Sequence, residues 1–153
     1  MNFKLRQGLV LATLLYLITG CTTLSTPTFS DEDGAIRGYD SVAYHTNQRP
    51  VKGKPSLSTR WNDANWYFSS AENLAAFEAD PERYAPQYGG YCAYAMSKGL
   101  VVSTDPNAWQ IEDGKLYLNY SLRVRRTWRK DIPGYVAKAD AFWQEKIFEP
   151  RIE

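Results

Sequence analysis

One thiol carries most of the chemical potential of this sequence. Cys92 follows Gly89-Gly90-Tyr91 and opens a short helical pattern, Ala93-Tyr94-Ala95-Met96-Ser97-Lys98, with Gly99 placed as its C′ residue. A cysteine in a first helical turn meets free main-chain N–H groups and the positive end of the dipole, and both lower a thiol pKa. Such a thiol suits redox chemistry or soft-metal ligation. Between Tyr91 and Ala93 the same residue also reads as a small buried hydrophobe. No CxxC is present, so a redox cycle needs an external thiol or a sulfenic acid. Tyr88, Gly89, Gly90, Tyr91 and Cys92 are therefore the candidate ligand-binding residues.

The other reactive types are sparse. His45 is the one histidine, beside Thr46-Asn47, and reads first as a hydrogen-bonded surface residue. Tyr84, Tyr88, Tyr91 and Tyr94 could line a pocket or ligate haem iron or copper, or fill a small core with their hydroxyls bonded to backbone. Asp40 reads as a helix cap, with a role as an acid near the Cys92 loop as the alternative. Arg123, Arg125, Arg126, Arg129 and Lys130 form a charge run suited to a solvated face or to anionic contact. Ser-His-Asp sets, phosphate loops, paired-carboxylate motifs and dinucleotide fingerprints are absent, which argues against a hydrolase or nucleotide enzyme.

The second cysteine belongs to an address. Lys4 and Arg6 precede an apolar run from Gly8 to Ile18, of signal-peptide length and well short of the ~20 residues a spanning helix needs. The run ends in Leu17-Ile18-Thr19-Gly20-Cys21, which resembles the bacterial lipobox. The resemblance implies that Cys21 is diacylated and becomes the new N-terminus, with residues 1–21 as a lipoprotein signal peptide. Two or more acyl chains anchor a protein stably. Thr22 stands where an Asp would suggest inner-membrane retention, so the expected location is the bacterial cell envelope, on the periplasmic face of the outer membrane. Lipidation leaves Cys92 without an intrachain partner.

At 153 residues the chain has one domain's worth of length. It carries 18 basic and 17 acidic residues, sixteen against seventeen once Lys4 and Arg6 leave with the leader. That balance does not favour nucleic acid, whose nonspecific binding rests on phosphate neutralisation. The expected partners are the membrane, through Cys21, and an envelope protein.

The elements that must place these groups are readable in order. Residues 22–34, rich in Ser, Thr and Asp, read as a flexible tether. Asp40 caps a first turn, and Pro50 to Pro55 is a loop. Leu57–Trp61 and Trp66–Phe68 alternate as strands around a turn at 62–65. Ser69 with Glu72 forms a capping box for a helix through Leu74 and Phe77, closed by Asp80-Pro81. Tyr84 to Tyr91 is a loop. Residues 109–112 and 116–119 flank Asp113-Gly114, the strongest hairpin signal in the chain. Ser121 starts a basic helix to about Lys130, Pro133-Gly134 breaks it, and a last helix from Tyr135 to about Phe148 presents Val136, Ala139, Trp143 and Ile147 on one stripe.

Phe68-Ser69-Ser70, with Phe77, Asp80-Pro81 and Tyr84 following, resembles the YHS domain. Gly38-Tyr39-Asp40-Ser41-Val42-Ala43-Tyr44 is similar to the opening of that domain. With Tyr88-Gly89-Gly90-Tyr91-Cys92-Ala93, the Asp113-Gly114 hairpin and Asp131-Ile132-Pro133-Gly134, nearly all of residues 35–147 look like a bacterial exported YHS subgroup. Some members of that subgroup carry selenocysteine where Cys92 stands. The resemblance implies an α+β fold: a small treble-clef-like hairpin-plus-helix core, extended by a second β-hairpin and two C-terminal helices, over residues 35–148 with a tail at 149–153. In the broader family it also implies metal binding through cysteines. Here Ala43, Ser69 and Asn73 stand where those cysteines are expected. A soft-metal cage needs about four Cys or His ligands, so no cofactor is specified, and a metal is expected only through Cys92 and its neighbours.

The expected function is a lipid-anchored envelope module that binds a small ligand or a metal near Cys92. A single-cysteine redox protein and a structural or interaction domain without chemistry are the alternatives.

Overall fold

A strand buried on both faces divides the molecule. In Lys115–Asn119, Leu116 and Leu118 enter one hydrophobic core while Tyr117, pointing the other way, enters a second. Period-two alternation allows one strand to serve two cores only when both of its faces are apolar.

The computed structural model describes residues 26–148. Its elements are β1 (Ser30–Asp31), β2 (Gly34–Ala35), α1 (Ser41–Thr46), β3 (Lys54–Trp61), β4 (Ala64–Phe68), α2 (Ala71–Ala79), α3 (Pro81–Tyr84), α4 (Ala93–Met96), β5 (Asp105–Glu112), β6 (Lys115–Asn119), α5 (Leu122–Trp128) and α6 (Ile132–Phe148). Single 3₁₀ turns lie at Ile36–Gly38 and Gln87–Gly90. The strands form three antiparallel pairs, β1–β2, β3–β4 and β5–β6, so the domain is α+β. Among the described residues no helix is long and apolar enough to cross a membrane.

Two of the hairpins turn on left-handed dipeptides. Asn62 and Asp63 have φ of 46° and 60°, and Asp113 and Gly114 have 48° and 74°. Both dihedral pairs are of the I′ kind, whose twist matches that of the strands they join. The first core gathers Val42, Tyr44, Trp66, Phe68, Phe77, Leu116 and Leu118. The second gathers Tyr88, Tyr91, Met96, Tyr117, Trp128 and Ala139. Of the stripe expected on the last helix, Ala139 is fully buried, and Val136 and Trp143 pack around it. Ile147 lies where side chains are outside the described residues.

Several boundaries differ from expectation. The tether expected over residues 22–34 is not one from Thr26 on. Thr28 is buried and its hydroxyl donates to the Asn62 carbonyl at 3.0 Å. The Phe29 N–H donates to Gly89 at 2.8 Å, and Ser30–Asp31 pair with Gly34–Ala35. Loop-like composition concealed a segment whose side chains and backbone are satisfied by distant residues. Signal peptide, lipobox and tail fall outside the described residues.

The capping box is shifted by one. Ser70, not Ser69, caps α2, accepting from the Asn73 N–H at 3.1 Å. The break expected at Pro133-Gly134 is a helix start. Asp131 accepts from the Gly134 N–H at 3.1 Å, and Pro133 sits in the first turn of α6, where its missing N–H costs nothing. The Tyr84–Tyr91 loop is bounded by α3 and contains the second 3₁₀ turn.

Candidate functional site

The tyrosine-glycine loop before Cys92 is held in an unusual backbone. Tyr88 and Gly89 are both left-handed, with φ of 57° and 60°. Gly89 is required: a Cβ there would overlap the Pro27 carbonyl, because the incoming chain lies directly against it. Tyr88 is not a glycine, and its conformation is sustained by its side chain. The hydroxyl donates to Asp140 Oδ1 at 2.8 Å, and the ring meets Trp143 at 6.1 Å and Tyr117 at 6.0 Å. Burial pushes the Tyr88 phenol well above its usual range, and the Asp140 carboxylate adds to that. Strained non-glycine positions of this kind cluster at functional loops.

Beside Tyr88 lies a cleft of about 470 Å³ at the seam between the two cores. The first core contributes Trp61 and Trp66, edge to face at 5.9 Å, and the second contributes Tyr88 and Trp143. Pro27, Ala85 and Pro86 add apolar surface. Asn62, Glu82 and Gln87 supply the polar side chains. Polar side chains beside half-buried tryptophans, at a boundary between packed units, give the cleft groups that can orient a small molecule.

Of the five residues expected to bind ligand, only Tyr88 and Gly89 line this cleft. Gly90 is buried, and its carbonyl accepts from Thr104 at 2.9 Å. Tyr91 is buried and its hydroxyl donates to the Thr26 carbonyl at 3.1 Å, which ties down the start of the domain. Cys92 turns inward.

Cys92 is 1% exposed. Its sulfur is the N-cap of α4, accepting from the Ala95 N–H at 3.4 Å and the Tyr120 N–H at 3.2 Å. The thiol lies 3.8 Å from Asn119 Oδ1, which also accepts from the Tyr94 N–H at 3.2 Å. Burial pushes the thiol pKa up, opposed by the Ala95 and Tyr120 N–H groups. The sequence weighed a helix terminus that would lower the pKa. Exclusion of water outweighs it, because a thiolate loses more in solvation than two long N–H···S contacts return. Asn119 is fully buried, and its Nδ2 has no partner among the described residues.

The positions where a YHS metal site would have cysteines do different work. Asp40 is fully buried and caps α1 through Oδ1, which accepts from the Val42 and Ala43 N–H groups at 2.9 and 3.1 Å. Its Oδ2 accepts from the Ser69 N–H at 2.8 Å, the Ser69 hydroxyl at 2.6 Å and Asn73 Nδ2 at 2.7 Å. Ser69 and Asn73 thus converge with Asp40, and Ala43 lies in the same turn. Hydroxyl, amide and one fully engaged carboxylate do not fit a soft metal. Among the described residues no three His, Cys, Asp or Glu side chains are grouped to share a metal ion.

The remaining candidates disperse. His45 packs edge-on against Tyr84 at 5.5 Å, its Nε2 is buried without a partner among the described residues, and burial lowers its pKa, with Arg83 adding to this. Tyr94 meets Tyr135 edge to face at 5.1 Å, and Tyr84 packs against His45, so the four tyrosines do not meet at one point. In the basic run Arg125 turns inward to the Trp109 carbonyl at 3.0 Å, while Arg123, Arg126, Arg129 and Lys130 are exposed. Trp61, Trp143, Glu82 and Asn119 were missed as site residues. Only Trp143 carried a signal, as part of the apolar stripe of α6.

No family model, curated protein or solved structure matches the chain.

Proposed function

We propose that the chain is a lipid-anchored envelope module of the YHS kind that binds a small ligand in the cleft between Trp61 and Trp143. The observation that carries this is the cleft itself. Half-buried Trp61 and Trp143, one packed on each core, line about 470 Å³ of open space beside a left-handed loop, with buried Trp66 and Tyr88 beneath them. Cys92 lies just after that loop, and its sulfur caps α4 and meets Tyr120 and Asn119 away from the cleft. In this reading its role is structural, and the thiol is not the ligand's contact.

The test is ligand-induced stabilisation of the full-length protein across a small-molecule panel, with Trp143→Ala and Cys92→Ser beside the wild type. A ligand that binds the native state raises the melting temperature in proportion to the logarithm of its concentration over Kd. A hit that disappears in Trp143→Ala and persists in Cys92→Ser supports the cleft. The opposite pattern moves the site to the thiol. Anchoring is tested separately: Cys21→Ser should abolish fatty-acid incorporation and release the protein from the membrane fraction.

A further inference from the structure

Resting on that reading of the cleft, we propose that its ligand presents a primary ammonium group and is taken from the membrane surface. Three observations lead there.

The first is charge. Of the eleven residues lining the cleft, Glu82 is acidic and none is basic. A site with a carboxylate and no Lys, Arg or His favours a cation over an anion by simple Coulomb attraction. The second is the wall. Trp61 and Trp143 are half-buried and can offer ring faces, which attract ammonium groups and cover alkyl groups with their area, while Trp66 and Tyr88 are buried behind them. Aromatic side chains around a cation, with one carboxylate at hand, make a recognised cage for organic ammonium.

The third is position. Pro27 lines the cleft, and Thr26 beside it is tied to the Tyr91 hydroxyl. Cys21 is only five positions earlier in the sequence. Five Cα steps span at most roughly 18 Å. With the acyl chains of Cys21 in a bilayer, the cleft therefore lies within one short segment of the lipid headgroups. The ammonium source this geometry selects is an aminophospholipid headgroup such as ethanolamine, with its phosphate left toward solvent, where the lining has no base to meet it.

The experiment uses full-length lipidated protein in nanodiscs of phosphatidylglycerol and follows tryptophan emission. Hexylammonium, hexanol and hexanoate are titrated in turn. The expected result is saturable binding of hexylammonium, at least tenfold tighter than hexanol or hexanoate. Glu82→Gln, an exposed position, should weaken the ammonium at least fivefold and leave hexanol unchanged. Adding phosphatidylethanolamine to the discs should raise the apparent Kd for hexylammonium at least tenfold by competition. Equal binding of all three probes, or an unaltered Glu82→Gln variant, overturns the ammonium assignment while leaving a ligand cleft in place. Ammonium binding with no competition from phosphatidylethanolamine overturns the membrane source. No saturable response to any probe, together with no Trp143-dependent hit in the wider panel, removes both the inference and the function it rests on.

Discussion

The Ser69 hydroxyl donates to Asp40 Oδ2 at 2.6 Å, and this short contact joins the cap of one helix to the entrance of another. Asp40 serves α1 with one oxygen and the β4–α2 junction with the other. The carboxylate is buried and accepts five donors in all.

Asp40→Asn should therefore cost stability, since the amide presents N–H groups toward donors that are already buried. Hydrogen bonds to a charged group are each worth about 1.5–3 kcal/mol, and stranded donors add to the loss. A decrease of about 3 kcal/mol in urea unfolding is expected, against about 1–2 kcal/mol for Ser69→Ala. Equal and small effects would show that the cluster is not a shared support.

Cys92 should resist alkylation in the native protein and react readily once unfolded. The pH dependence follows from its raised pKa. The unfolded thiol, near the ordinary value of 9.0, loses its proton before the buried one does. Above that pH the native state binds more protons, so stability falls as pH rises. Below pH 9 the contribution is fully present. The raised phenols of Tyr44 and Tyr88 extend the decline above pH 10. Chemical unfolding from pH 7 to 11 checks this, and Cys92→Ser should remove the earlier part of the slope.

His45 has the opposite sign. Its lowered pKa means that the unfolded chain takes up a proton first as pH falls below 6.5. Stability is thus present above that value and declines through the acid side as the folded pKa is approached. His45→Gln should flatten the curve below pH 6.5, as followed by thermal melts.

Two glycines with similar backbones should respond differently to alanine. Gly89 and Gly114 have φ of 60° and 74°, so both substitutions carry the left-handed penalty of about 1–2 kcal/mol. Only at Gly89 would the new Cβ strike backbone, at Pro27; at Gly114 nothing lies within 4 Å. Gly89→Ala should expose residues 26–31 to limited proteolysis, and Gly114→Ala should not.

The hairpins were legible because Asn-Asp and Asp-Gly between alternating strands leave few other solutions. The caps at Asp40 and Ser121 were legible for a similar local reason. The site was less so. Asn62, in a hairpin turn, and Glu82, in the short α3, meet Trp143 through tertiary packing that no local pattern encodes. At Cys92 both readings were legible, a helix terminus and a small buried hydrophobe, and burial decides for the second because desolvation is set by tertiary packing. The entry segment from Thr26 misled because its partners, Asn62, Gly89 and Tyr91, lie far along the chain.

The strand β6 has a further consequence for folding cooperativity. Leu116 and Leu118 complete one core while Tyr117 completes the other, so neither core closes until the same five residues are in place. The two halves cannot melt as separate units, since losing β6 opens both. A domain with two cores is thereby expected to unfold in a single transition, with the main-chain amides of Leu116–Leu118 among the last to exchange with solvent.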